Sequence, residues 1–391
     1  MAGVKHTNLL NGKRSSAGGE KAAAGGAAAN KSAETGGHGG DLLAAALEFG
    51  IRAEDFCDFS SNINPLGPPQ GLVDELKQHL EWDLCRYPTP QARDFRSALA
   101  GHLDVPEERL LPGNGASELI HLFSLWHRPP QVFIPSPTFS EYERAARIAG
   151  AGVKRIPLYP GTLPDPRAVL KELSGPGLLV ICNPNNPTGS IIPADSMEEI
   201  VRDAGKKEID VLVDESFFPL TGKSAHESLC GRDYANLWVV TSLTKLWALP
   251  GIRLGYLYGS GKKFAALTRN GDPWRVNALA QRAGLYCLGD KDYLRKSLAL
   301  ILEEKDYLRQ AFKNFEELVV FPAAANFFLL RCEKSGFSSA TLYRFLAARG
   351  ILIRNAANFP YLDDRYFRVT VRCRADNNRL LEGLRQYFKG L

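Results

Sequence analysis

From Leu110 onward, short apolar runs alternate with stretches whose apolar residues recur at helical spacing. The runs Val132–Ile134, Val153–Pro157, Leu178–Cys182, Val211–Val213 and Leu237–Val240 predict strands. The patterns over Ser117–Trp126, Glu141–Ala149 and Asp195–Ala204 predict helices between them. Strands that alternate with helices indicate an α/β fold with a mostly parallel sheet covered on both faces. Chemistry in such sheets collects at the carboxyl ends of the strands. Ahead of this region, Asp41 reads as an N-cap for a short helix through Leu42, Leu43, Ala46 and Leu47, with Gly50 as its stop. Further helices are expected over Gln70–Leu80 and Ala92–Leu103. Asp58–Gly67 is too rich in turn formers for a regular element and reads as a structured loop. A long helical pattern over Asp290–Phe315 leads into a smaller α+β region. That region predicts strands near Val319–Phe321, Asn326–Arg331, Leu352–Arg354 and Phe367–Arg372, and helices over Ser339–Arg349 and Asn377–Phe388.

Length and composition change this picture little. The 391 residues have room for two domains, and the apolar and charged fractions, 45% and 23%, are ordinary for a globular protein. A net charge of +5 without a basic, aromatic-interleaved stripe does not imply nucleic acid. The 7 cysteines are scattered, with no Cys-x-x-Cys pair, which fits a reduced cytoplasm and gives no metal signature. No apolar run is long enough for a membrane span. Residues 1–36, centred on Ala22–Ala29, lack bulky apolar positions and read as a disordered Ala/Gly-rich tail.

Several constellations sit where strands end. Ser242-Leu243-Thr244-Lys245 follows the last strand of the series, and Gly251-Ile252-Arg253-Leu254-Gly255 follows it. A lysine held beside apolar residues loses its proton more readily and suits Schiff-base chemistry, while a lysine after a strand can also be merely solvated. Pro112-Gly113-Asn114-Gly115-Ala116-Ser117 is a Gly-rich loop entering a helix, either a phosphate cradle or a plain helix cap. Asn183-Pro184-Asn185-Asn186-Pro187-Thr188-Gly189 is a stiff turn offering directed hydrogen bonds. Asp214-Glu215 ends a strand in two carboxylates, which need a positive or hydrogen-bonding partner: a pyridinium nitrogen or a structural salt bridge. Arg354, Arg368, Arg372 and Arg374 form a positive density near the carboxyl end, for anion capture or for a solvated face. On a strand, Arg368, Arg372 and Arg374 would point to one side.

Together, and in this order, these motifs resemble the fold-type I pyridoxal-phosphate enzymes of the class I/II aminotransferase group, from His38 to the carboxyl end. The resemblance implies an aspartate aminotransferase-like architecture: an arm at 37–66, a large cofactor-binding domain at 67–289 and a small domain at 290–391. It implies pyridoxal 5'-phosphate, with Lys245 as Schiff-base lysine and Asp214 facing the ring nitrogen. Asn186 would meet the ring oxygen and Phe139 would stack on the ring. Gly115, Ala116, Ser117, Ser242 and Arg253 would hold the cofactor phosphate. Tyr87 would reach it from the partner of a homodimer with a shared site. Many relatives carry a tyrosine three residues after the aspartate; Phe217 stands here, so that hydrogen bond to the ring oxygen is lost.

Within the family, His38-Gly39-Gly40, Phe59–Gly67, Pro273–Ala280 and Ile351–Pro360 resemble the branch that decarboxylates L-threonine O-3-phosphate to (R)-1-amino-2-propanol O-2-phosphate for the nucleotide-loop linker of cobalamin. L-serine O-phosphate decarboxylation and histidinol-phosphate transamination are the alternatives. The substrate is then a small phosphorylated amino acid, with His38, Gly39, Asn62, Asn186, Arg354 and Arg372 as its expected contacts. Arg374 occupies the place of a phosphate-binding arginine in the aminotransferase branch, while Arg372 matches the decarboxylase branch.

Overall fold

The protein is described from a computed structural model, which covers residues 39–161, 165–269 and 271–390. The 1–36 tail and His38 lie outside the described residues. Five apolar runs become the parallel core of a seven-stranded sheet: Gly152–Pro157, Gln131–Ser136, Gly177–Cys182, Ile209–Asp214 and Leu237–Ser242, in that spatial order. Two further strands complete it. Gly255–Tyr258 runs antiparallel to Leu237–Ser242, and Leu110–Gly113 runs antiparallel to Gly255–Tyr258. Neither was among the expected strands, because four residues containing Gly, or Pro and Gly, carry too little periodicity to register. Helices cover both faces, so most strand positions are buried and the strands read as continuous apolar runs.

The register sets the site. Cys182 lies opposite Asp214, Asp214 opposite Val240, and Ser242 opposite Gly255, which in turn faces Gly113. The Asn183–Gly189 turn, Asp214, Ser242–Lys245 and the Gly113–Gly115 loop therefore emerge side by side from one edge of the sheet.

A second, antiparallel sheet orders Arg354–Asn355, Tyr366–Thr370, Phe327–Cys332 and Leu318–Val320, packed beneath helices Lys291–Phe312, Ser339–Ala347 and Arg374–Lys389. The expected strand through Arg372 ends at Thr370, since Val371 N–H turns to Asn326 O and Asn377 accepts from Arg372 N–H. The last helix accordingly begins at Arg374, three residues before its expected start. Helices Pro166–Glu172, Gly261–Arg269 and Ala278–Gly289 were not expected. Cys57–Asp58 pairs in parallel with Ile351–Leu352 as a separate two-stranded sheet, and Thr370 N–H bonds Phe59 O, fastening the Asp58–Gly67 loop to the four-stranded sheet. Asn64, in that loop, donates to Leu246 O, Tyr293 Oη and Ser297 Oγ, and its N–H bonds Lys245 O at 3.1 Å.

Candidate active site

Lys245 stands in a turn whose neighbours Leu243, Thr244, Leu246 and Trp247 are buried. Burial, followed by the positive fields of Arg253 and Arg368, lowers its ammonium to about 8, against an opposing pull from Asp214. A share of neutral amine is then present at neutral pH, as carbonyl chemistry requires. Asp214 is buried, which raises its carboxyl, while hydrogen bonds from Ser216 N–H at 2.8 Å and Tyr142 O–H at 2.7 Å work the other way. The two carboxylates of the Asp214-Glu215 pair part company. Glu215 turns to Leu229 N–H and Ser228 O–H, and burial pushes it up to about 7.

The asparagine run also divides. Asn183 bonds both main-chain groups of Ile192, and Asn185 bonds Pro137 O, Thr138 and Thr188. These two hold the loop. Asn186 faces the site instead, its Oδ1 accepting from the Arg368 guanidinium. Phe139 meets Tyr142 edge to face at 5.6 Å. Phe217, where relatives have a tyrosine, packs its ring on Phe327 at 5.1 Å and is buried.

The Gly-rich loop forms a cradle. Helix Ala116–His127 starts from Gly115, at φ 84°, with no side chain capping its amides. A Cβ on Gly115 would stand 2.8 Å from the Arg253 guanidinium, and one on Gly255 would stand 3.0 Å from Ala116 N. The opening is kept by glycine, lined by free-ended amides and a cation, and bordered by Ser242, whose Oγ meets Thr244 Oγ1 at 2.7 Å. This is an oxyanion-shaped site. Ser117 lies in the first helical turn. Tyr87 is 84% exposed and leans on Trp274 at 5.3 Å.

The arginines separate in an unexpected way. Arg368, which was not among the expected substrate contacts, is buried against Asn186 and Ser60 O. Burial, then the neighbouring Arg354, lowers it to about 9, and burial lowers Arg354 to about 10. Arg354 donates to Asn355 O and Asn358 Oδ1. Two cations depressed in this way form a site that an anion would relieve. The buried atoms Arg368 Nε and Asn62 Oδ1 have no partner among the described residues. Arg372 and Arg374 do not share the face expected of them. Arg372 bonds Asp376 at 2.8 Å and Asp58 O at 3.1 Å. Arg374 pairs with Glu304 and Glu303 at the opening of its helix. The arm reaches the site at Gly40, whose N–H bonds Ser60 Oγ at 2.8 Å, and at Gly39, where a Cβ would stand 2.2 Å from Ser60 O. Tyr142 had no role in the sequence reading, and Arg368, grouped there with the arginines for anion capture, was not carried into the expected substrate contacts.

Residues 54–384 match the family model of aminotransferase class I and II. The chain belongs to this family. It is 37% identical over 361 residues to threonine-phosphate decarboxylase of Salmonella typhimurium, covering 90% of this chain and 97% of that protein. Among solved structures it is similar to histidinol-phosphate aminotransferase from Clostridium acetobutylicum (TM-score 0.78, 30% identity, 85% of this chain and 99% of that one). It is also similar to L-threonine-O-3-phosphate decarboxylase from Porphyromonas gingivalis (TM-score 0.76, 25% identity, 85% and 99%). The family's cofactor is pyridoxal 5'-phosphate. The residues fit it: a glycine-kept phosphate cradle, a lysine lowered to about 8, and a buried carboxylate without a cation bonded to it. Among the described residues no cluster suits a metal ion, and no helix is long and apolar enough to cross a membrane.

Proposed function

We propose that this chain decarboxylates L-threonine O-3-phosphate, giving (R)-1-amino-2-propanol O-2-phosphate and carbon dioxide. The observation that carries the reading is the 37% identity with the Salmonella typhimurium enzyme across 97% of its length. The site geometry supports it. Helix Ala116–His127, Ser242 and Arg253 would hold the cofactor phosphate, Asp214 its ring nitrogen, Phe139 its face and Lys245 its carbonyl carbon. When bound, pyridoxal phosphate supplies an electron sink for the pair left at the substrate Cα.

The residues of this chain decide which bond breaks. A bond to Cα breaks most easily when it stands perpendicular to the conjugated plane. Arg368 and Arg354, with Asn62, Asn186 and the Gly39–Ser60 arm, would anchor the substrate's anionic groups and turn its carboxylate out of that plane. With the cofactor in place the carboxylate would leave as carbon dioxide, and the Lys245 ammonium would deliver a proton to Cα in its place.

On this reading the arm is 37–66, the cofactor domain 67–289 and the small domain 290–391. Tyr87, exposed in one chain, reaches the cofactor phosphate of a second, so the enzyme works as a homodimer. Seven free cysteines support a cytoplasmic enzyme serving the aminopropanol linker of cobalamin. Incubation with O-phosphothreonine alone tests the activity: stoichiometric carbon dioxide is expected without any keto acid. A requirement for 2-oxoglutarate would overturn it in favour of histidinol-phosphate transamination, the reading that the Clostridium acetobutylicum similarity favours. O-phosphoserine run in parallel measures the worth of one methyl group, about 1–3 kcal/mol in an apolar pocket.

A further inference from the structure

We propose that Tyr142 is a positioning residue for the cofactor ring: one side chain fixes both the Asp214 carboxylate that meets the ring nitrogen and the Phe139 ring that covers the ring's face. The inference rests on the reading that this site holds pyridoxal phosphate, and on nothing about the substrate. Tyr142 is 2% exposed and lies in the first turn of helix Glu141–Ile148, just past the end of strand Gln131–Ser136. Its O–H donates to Asp214 Oδ2 at 2.7 Å, and its ring meets Phe139 edge to face at 5.6 Å and 81°. A buried tyrosine needs an acceptor somewhere. Here the acceptor is the carboxylate that the cofactor needs, and the ring neighbour is the expected stacking residue.

The geometry of Asp214 gives the contact its consequence. Oδ1 accepts from Ser216 N–H at 2.8 Å and Oδ2 from Tyr142. With donors on both oxygens, the carboxylate cannot rotate without losing a bond. Its charge is also at stake. Burial favours the neutral acid, and donors to the ionised form oppose this. A neutral Asp214 could not hold a protonated ring nitrogen. The Ser216 side chain also favours the ionised form, so Tyr142 shares this task with it; the remaining groups around Asp214 do not take it over. Cys182, on the neighbouring strand, has a thiol pushed far up by burial and donates to Pro184 O. Glu215 points to Ser228 and Leu229. Lys245, the cation that acts on Asp214, is the residue the cofactor would occupy. Tyr142 itself is raised well above its ordinary value by burial and the Asp214 charge, so its phenol remains a donor.

The test uses holoenzyme reconstituted with pyridoxal phosphate labelled with nitrogen-15 in the ring. The nitrogen resonance reports ring protonation, and cofactor affinity is measured against pH on the same proteins. Tyr142→Phe keeps the ring contact and removes the hydroxyl. Its nitrogen signal is expected to move toward the unprotonated position, and its affinity to fall away on the acid side about one pH unit earlier, roughly tenfold below that midpoint. Phe139→Leu leaves the Tyr142–Asp214 bond intact; it should weaken binding and leave the nitrogen signal in place. Should Tyr142→Phe not fold, 3-fluorotyrosine at 142 keeps the shape and strengthens the donor, and the acid limb should move to lower pH. A wild-type nitrogen signal and pH profile in Tyr142→Phe, or an unmoved limb with 3-fluorotyrosine, would overturn the proposal. Failure of the unaltered protein to take up pyridoxal phosphate would instead remove the reading beneath it.

Discussion

The Arg368 guanidinium donates to the side-chain oxygen of Asn186, across 182 residues of sequence and between the four-stranded and the seven-stranded sheet. One residue belongs to the turn after a strand of the parallel sheet, the other to the middle of an antiparallel strand. The contact holds Arg368 at the edge where Lys245 and Asp214 stand, the place from which it is proposed to anchor the substrate.

It follows that the carboxyl-terminal arginines are not equivalent. Arg368→Ala is expected to lower kcat/KM for O-phosphothreonine by about 100-fold or more, since losing a buried charge-assisted contact costs about 2–5 kcal/mol. Arg374→Ala should leave kcat/KM near wild type and reduce stability instead, because Glu304 is 2% exposed and loses its cation. Steady-state kinetics and urea unfolding on both variants decide it. Equal kinetic damage in the two would contradict the assignment.

Lys245 gives a pH signature that needs no substrate. Its folded value of about 8 lies below the ordinary 10.5, so between those values the unfolded chain binds more protons. Stability of the cofactor-free protein should therefore rise with pH across that window. The Lys245→Met protein should lack this slope. Covalent uptake of pyridoxal phosphate, trapped by borohydride, should slow about tenfold per unit as pH falls below that value, following the neutral amine. A flat uptake rate from pH 6 to 8, roughly two units, would show an amine already neutral.

Gly115 carries both a left-handed φ of 84° and a close approach to Arg253. Gly115→Ala is expected to weaken cofactor affinity by about 10- to 100-fold, from backbone strain of about 1–2 kcal/mol and a displaced guanidinium. Equilibrium titration of the cofactor-free protein measures it. Unchanged affinity would mean that the phosphate does not sit at this helix.

Asn64 is a buried hub rather than a substrate contact. Asn64→Ala removes bonds to Leu246 O, Tyr293 and Ser297. The expected loss is about 2–4 kcal/mol by urea unfolding, since several buried partners are left unpaired at once. Lys245, whose carbonyl the Asn64 N–H holds, should then show broadened cofactor absorbance in the variant that still folds.

Much of this was legible along the chain because it depends on neighbours in sequence. Four of the five parallel strands read correctly from their apolar runs, since a strand buried on both faces must be apolar throughout, whereas Gly152–Pro157, expected as well, is an edge strand that is largely exposed. Lys245, Asp214 and Asn186 could be picked out because each lies at the end of an expected strand or a few residues past it, while Arg253 and the Gly113–Gly115 loop showed in their glycine-bearing local patterns. Helix starts at Asp290 and Asn277 use side-chain caps of a kind that sequence can show, although the second was not expected.

What only the tertiary structure decided is which member of each residue set is spent on structure and which is left for chemistry. Four nearby arginines look alike in sequence. Arg374 is neutralised by Glu303 and Glu304 about seventy residues away, and Arg372 is taken by Asp376 and by Asp58 O. Arg368 is left without a carboxylate bonded to it, against Asn186 and Ser60. Tyr142 likewise becomes a partner of Asp214, 72 positions away, only when the sheet brings the ends of their strands to one edge. Sequence fixes local conformation through sterics and periodicity. The partner of a buried charge is fixed by which distant groups share its low-dielectric surroundings, and that is a property of the packed fold.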